Sequence, residues 1–132
     1  MSCETQIGIF NAYDAQGLQT GEGIMRPFLF TSKVSLIHLE IPAGLEVHPH
    51  AHPKDGLLYC LAGQLEVFTG DRHFTITRGT AVKVPADVTV GVANKSDESV
   101  ECLLISAPPT FKSAEELKER IKQYQKQKDN GE

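Results

Sequence analysis

The sequence predicts an all-β barrel or sandwich followed by one short C-terminal helix. Short runs of β-forming residues follow one another from residue 26 to 106, each bounded by Gly, Pro, Asn or Asp. No helix-period segment interrupts them, which argues against alternating strand–helix units. A single amphipathic helical pattern appears only after they end. The runs are 26–31, 33–41, 45–52, 57–61, 64–69, 73–77, 81–84, 88–93 and 100–106. Many short strands at this spacing close into a sandwich or a small barrel.

The elements follow in order. Ile7 to Phe10 is a short apolar stretch that reads as an edge strand, and 16–23 reads as a loop because it holds Gly17, Gly21 and Gly23. The barrel core covers about residues 25–107. Breaks fall at Pro42-Ala43-Gly44, Pro53-Lys54-Asp55-Gly56, Ala62-Gly63, Thr69-Gly70-Asp71, Arg78-Gly79, Pro85-Ala86-Asp87 and Asn94-Lys95-Ser96-Asp97. Ala107-Pro108-Pro109 closes the β region. Ser113-Ala114-Glu115-Glu116 is a capping box, with an acceptor at the start and a carboxylate three residues on. Leu117, Ile121 and Tyr124 then form a narrow apolar stripe on a helix of about 114–128, which Asn130-Gly131 ends.

Length and composition narrow the function. A chain of 132 residues suits a single domain over 1–132. A net charge of −4 argues against nucleic acid as the main partner. No apolar run reaches the length that crosses a bilayer, and the first residues lack the basic-then-apolar pattern of a secretion signal. Cys3, Cys60 and Cys102 are too widely spaced for a zinc pattern and read as reduced thiols, so a cytoplasmic location is expected. No basic cluster marks a phosphate site, and no Trp is present to stack on a sugar.

The most informative stretch runs from Gly44 to Gly63. His48, His50 and His52 recur at every second position, so an extended strand would place them on one face. Such a row suits a metal site or hydrogen bonding to a polar ligand better than a plain core. Two or three imidazoles with open positions would take one divalent ion, Zn, Ni, Fe, Cu or Mn. His38 and Glu40 have the opposite parity to Ile37, Leu39 and Ile41 and are expected on the outer face. His73 follows a turn and is expected to be exposed. Cys60 is expected to be a small buried residue, since no hydrolase-type nucleophile motif surrounds it.

These spacings resemble a family, the single-domain cupins of the cupin-2 type with an RmlC-like jelly roll. Their first motif reads G-x5-H-x-H-x3/4-E-x6-G, and Gly44, His50, His52 and Gly63 match it. Their second reads G-x5-P-x-G-x2-H-x3-N, and Gly79, Pro85 and Asn94 match it. The resemblance covers roughly 34–108 and implies a cupin-type double-stranded β-helix, a jelly-roll barrel with a short C-terminal α-helix. It also implies a divalent metal held by two His and a Glu of the first motif and a His of the second. Here Gly56 stands at the Glu position, Val90 at the second-motif His and Asp87 at the second-motif Gly, so the metal site is degenerate. His48 is an additional imidazole, and Asp55 is a substitute carboxylate if its loop shifts.

If His50 and His52 face the interior, Val88, Val90 and Val92 should line the same space and Gly56 should widen it. A cavity with aliphatic walls and a few convergent polar groups suits a small organic ligand. The leading expectation is therefore a small-molecule-binding protein whose site is His48, His50, His52, Gly56 and Val90, with the three histidines as metal ligands where an ion is held. The alternative is a metal-dependent dioxygenase or isomerase using a non-standard His set. A third reading is an interaction protein with a vestigial cavity. Related single-domain cupins commonly dimerise by sheet packing and exchange of the N-terminal strand, so a homodimer is expected, with residues 7–10 as the exchanged arm.

Overall fold

The computed structural model describes residues 6–130. Its strands are β1 (Leu18–Thr20), β2 (Gly23–Phe30), β3 (Ser35–Ile41), β4 (Glu46–His50), β5 (Gly56–Ala62), β6 (Gln64–Thr69), β7 (Arg72–Thr77), β8 (Ala81–Val84), β9 (Val90–Ala93) and β10 (Val100–Ser106), followed by helix α1 (Ala114–Asn130). A six-stranded sheet has the order β1-β2-β3-β10-β5-β8, and a four-stranded sheet the order β4-β9-β6-β7. All pairings are antiparallel. The chain is a jelly roll of two facing sheets with a C-terminal helix, as the strand and turn signals predict.

The period-two alternation of apolar residues builds the core between the sheets. Ile37, Leu39 and Ile41 of β3 lie opposite Leu104, Cys102 and Val100 of β10, and Cys102 lies opposite Cys60 of β5. Val47, Leu65, Val67, Ile76 and Val92 close the core from the smaller sheet. Each such aliphatic side chain contributes about 1.5–3 kcal/mol when fully buried. Cys60 is fully buried, as its parity implies. His73 is exposed, and its ring reaches Glu66 at 2.6 Å.

Two boundary expectations are corrected. Residues 7–10 form no strand, and Ile7 and Ile9 are almost fully exposed. The stretch 16–23, expected as a loop, contains β1, and β2 begins at Gly23 rather than at residue 26. The reason is local. Thr20 Oγ1 donates to the Gly23 carbonyl at 3.0 Å and accepts from the Glu22 amide at 3.0 Å. This tight turn lets Leu18 pair with Met25, so glycines that signal a loop serve a hairpin.

At the C-terminus the capping residue acts as expected, with Ser113 Oγ accepting from the Glu116 amide at 3.2 Å. Leu117 is buried in the main core and Ile121 packs against it, whereas the Tyr124 side chain lies outside the described residues. Cys3 and Gly131 also lie outside them.

One buried polar side chain joins the two sheets. Asn94 Nδ2 donates to the carbonyls of Ile41 at 2.9 Å and Glu98 at 2.8 Å, while its Oδ1 accepts from the Ser96 amide and hydroxyl. Its backbone pairs with Gly44 and Leu45, at the corner where the chain leaves the larger sheet for the smaller. Replacing Asn94 with Ala leaves the buried Ile41 carbonyl without its donor, at about 1–3 kcal/mol, while the exposed Glu98 carbonyl still has the Ser96 hydroxyl. Asn94→Ala should therefore lower the urea midpoint by an amount equivalent to about 1–3 kcal/mol, measured by equilibrium unfolding.

Candidate functional site

The histidine row sits on β4 and on the segment that follows it. Val47 pairs with Val92, yet the next pair along the ladder is His50 with Val90. Two residues, His48 and Pro49, therefore stand opposite the single residue Gly91, a β-bulge. Proline, which lacks the amide donor, is found at such positions. Gly91 has no side chain because Pro49 fills the space: a Cβ there would lie 2.9 Å from Pro49 Cγ.

The bulge reverses the expected parity. Val47 and Val92 belong to the core, so His48, the next residue, turns to the outer side of the smaller sheet. There it lines an open cleft of about 170 Å³ with Glu46, Pro49 and Phe68. After the bulge His50 returns to the inner side, opposite Val90, which packs against the core. The three histidines thus do not share one face. This corrects the period-two reading, which assumes an unbroken ladder.

His50 and His52 do come together, with ring centroids 4.7 Å apart and planes at 78°. The His52 carbonyl accepts from the Asp87 amide at 2.8 Å, which ties the segment after β4 to the turn before β9. Asp87, at the position of the second-motif glycine, adopts a left-handed backbone with φ 65°, which aspartate tolerates. Gly56 lies half-buried between Ser106 and Val84 on the two neighbouring strands. A Cβ at position 56 would meet only the Ile105 carbonyl at 3.7 Å, so the space beside it is open. Val88 lies outside β9 and is exposed, leaving Val90 and Val92 as the inward valines. Asp55 is already engaged, accepting from the Ala86 amide at 2.8 Å.

A residue absent from the sequence reading joins this group. Glu22, in the turn between β1 and β2, reaches across the seam between the sheet edges and places Oε2 3.6 Å from His50 Nε2. On the other side of the ring, His50 Nδ1 lies 2.8 Å from the His48 carbonyl and must carry a proton to bond it. The Glu22 carboxylate is the main cause that pushes the His50 pKa up to about 9, against partial burial and with help from the His48 carbonyl. His52 moves the opposite way, lowered by burial and by the neighbouring His50 charge. No motif points to Glu22; the only sequence signal is an acidic residue in a glycine-bounded turn.

The fit to a metal ion is poor. Among the described residues, no group of three or more His, Cys, Asp or Glu is arranged to hold one. Two family positions carry Gly56 and Val90, whose side chains offer no donor, and His48 is turned away.

A second polar cluster lies on the outer side of the larger sheet, where parity expects His38 and Glu40. His38 is only 3% exposed, not solvated as an outer-face residue usually is. Its Nε2 lies 2.9 Å from Glu101, and the Tyr13 hydroxyl donates to the same carboxylate. Arg26 can only donate, so its 3.4 Å contact makes His38 Nδ1 the acceptor and leaves the proton on Nε2, facing Glu101. Arg26 also pairs with Glu40 at 3.0 Å. The Tyr13 hydrogen bond is the main cause that holds the Glu101 carboxyl below its usual range, against burial and with His38 and Arg26 adding to it. The cluster fastens the 3₁₀ turn Ala12–Asp14 to the sheet and stands apart from His50 and His52.

The Glu22–His50 pair gives a pH signature. A histidine with a raised folded-state pKa contributes stability below its unfolded value, and loses it as pH rises through the folded value. Between the ordinary imidazole value of 6.5 and about 9, the contribution of this pair should fade. In Glu22→Gln the His50 titration midpoint, followed by NMR, should fall towards 6.5. The Tm difference between wild type and variant should be largest near pH 6 and vanish above about pH 9.

Comparison with known proteins agrees with this architecture. The family model described as "Cupin domain" matches residues 37–106. The polyketide cyclase RemF from Streptomyces resistomycificus superposes with a TM-score of 0.69 at 17% identity, over 83% of this chain and 89% of that one. KdgF from Halomonas sp. gives 0.68 at 17% identity, over 76% and 94%. An RmlC-like cupin from Shewanella frigidimarina gives 0.68 at 17% identity, over 78% and 92%. At these identities the structures speak for the fold alone. The curated proteins provide no match. With the family pattern spanning more than half of its length and both motifs on the strands and turns expected of them, the chain belongs to the cupin family.

Proposed function

We propose that the protein binds a small organic molecule at the end of the barrel marked by His50 and His52. The observation that carries this reading is the contact of the two imidazoles, with His50 half-buried opposite aliphatic Val90, His52 open to solvent beside it, and no side chain at Gly56. Apolar walls with a few convergent polar groups are what small-molecule sites use. Loss of the family's Glu and second His to Gly56 and Val90 takes away donors and adds room and apolar surface. His48, on the outer side, has no part in this reading.

The test is mass spectrometry of molecules released when purified protein is denatured, followed by binding measurements with whatever is found. His50→Ala/His52→Ala should lose about tenfold in affinity, since two hydrogen bonds to the ligand are worth about 1 kcal/mol each. The double variant should keep its Tm within a few degrees, because the aliphatic core is untouched. Equal affinity in the two proteins would sink the reading.

We also propose that the chain assembles as a homodimer. Ile7, Ile9 and Phe10 expose apolar side chains ahead of the first strand, and Leu57, Tyr59 and Leu61 do so on the outer side of β5. A second copy that covers these surfaces would remove them from water. Light scattering at micromolar concentration should give twice 14.5 kDa; the monomer mass would remove the proposal.

A further inference from the structure

The register of the smaller sheet carries the row of His50 further than the two imidazoles. His50 pairs with Val90. Phe68 pairs with Gly91, which sets Thr69 beside Val90, and Thr69 pairs with Arg72. His50, Val90, Thr69 and Arg72 thus form one row across all four strands, next to the row of Val47, Val92, Val67 and Phe74. Side chains alternate along a strand, so Arg72 and Phe74 take the inner side that Ile76, in the core, fixes for β7. The contacts agree on both sides of the sheet. Arg72 Cζ lies 4.9 Å over the Phe74 ring. His73, between them, stacks instead on Phe68 on the outer side, at 5.2 Å. Phe74 is nevertheless 39% exposed, an inner-side ring that the barrel leaves partly uncovered.

We propose that Arg72 selects the ligand, which is a small organic acid. Its carboxylate sits on the Arg72 guanidinium, and its apolar body lies over Phe74 towards Val90. The inference rests on the reading of the His50 end of the barrel as the ligand site and names the class of molecule held there. A guanidinium suits this task because its planar fork of parallel N–H donors matches the two oxygens of a carboxylate. Stacking on Phe74 fixes the plane of that fork and leaves its edge donors free. Among the described residues, Arg72 has no carboxylate within ion-pair distance, whereas Arg26 is taken by Glu40. Glu22 stands at the opposite end of the row, beside His50, so an acid is drawn to the Arg72 end. The two ends are three strand spacings apart, roughly 14 Å along the backbone, and both side chains narrow that gap to the reach of a small molecule.

The test is NMR titration of the full chain with two probes of one shape, benzoate and the uncharged benzamide. Benzoate should move the Arg72 Nε–H and Phe74 ring resonances and saturate, with an affinity at least about tenfold above that of benzamide, as a charge-assisted hydrogen bond implies. Arg72→Gln should remove the preference for benzoate. Arg72→Lys, which keeps the charge and loses the fork, should retain only part of it. Arg72 is exposed on an edge strand, so both variants should keep the wild-type Tm within a few degrees.

Equal affinity for the two probes overturns the inference, and so does benzoate at millimolar concentration that leaves Arg72 and Phe74 unmoved. Both results come from the wild type and stand without any variant. An unchanged benzoate preference in Arg72→Gln overturns it as well. His50→Ala/His52→Ala separates this inference from the reading beneath it. Wild-type benzoate affinity in that double variant, lost in Arg72→Gln, fails the imidazole site and leaves Arg72 as the anchor of an acid. Weakened binding of both probes in the double variant, with no preference between them in the wild type, keeps the imidazole site and removes the selection by Arg72.

Discussion

Asn94 holds the corner from which the rest of the barrel is laid out. The chain must leave β3 in one sheet and enter β4 in the other, and a change of sheet strands backbone groups away from any ladder. Asn94 satisfies them with both amide protons and both lone pairs, while its own backbone grips Gly44 and Leu45. Because β4 starts from this fixed point and pairs with β9, the strand that carries Asn94's neighbours, its register against Val92 is set before the histidines are reached. The position of His50 is therefore a consequence of an amide some distance from it.

What that register delivers depends on one extra residue. A ladder without the bulge would have kept His48 and His50 on one side, and that side would have been the outer one, since Val47 is buried. The bulge brings His50 inward and leaves His48 in the outer cleft. Pro49 and Gly91 make it stable: proline gives up an amide donor where the ladder is interrupted, and glycine leaves room for its ring. The bulge is thus the device that turns His50 from the outer side of a polar strand to the inner one.

The fold was legible because its signals are local. Alternating apolar residues, turn glycines and the capping Ser113 each act over a few positions, and the strands that they announce are present from β2 to β10. Hairpin β1 was missed because Gly21 and Gly23 carry the same signal in a tight turn as in a loop. The apolar pattern of residues 7–10 suits a strand, but a strand needs a partner, and the described chain supplies none. The site was legible in part. The contact of His50 with His52 and the pairing of His50 with Val90 follow from their spacing and motif positions, whereas the approach of Glu22 does not, because it spans two sheet edges that only the closed barrel brings together. His48 was misplaced because period-two counting assumes a ladder without bulges.

The separation between framework and ligands carries the last step. Gly63 keeps a positive φ of 94°, where a Cβ would press on Val100 at 3.0 Å, and Asp87 keeps the left-handed turn that a glycine would make. Pro85 and Asn94 likewise stand at their motif positions. Every backbone-shaping position of the two motifs is thus filled by a residue able to do that work. The substitutions fall on the glutamate and the second histidine, whose side chains serve chemistry and not folding. Such a sequence keeps the barrel and changes what its mouth offers: two imidazoles set by a bulge, a carboxylate brought from outside the motif, and space where the missing side chains would have been. The fold and the chemistry of this chain therefore answer to different residues, and the second can be altered at Glu22, His50 and His52 while the first is left to Asn94 and the aliphatic core.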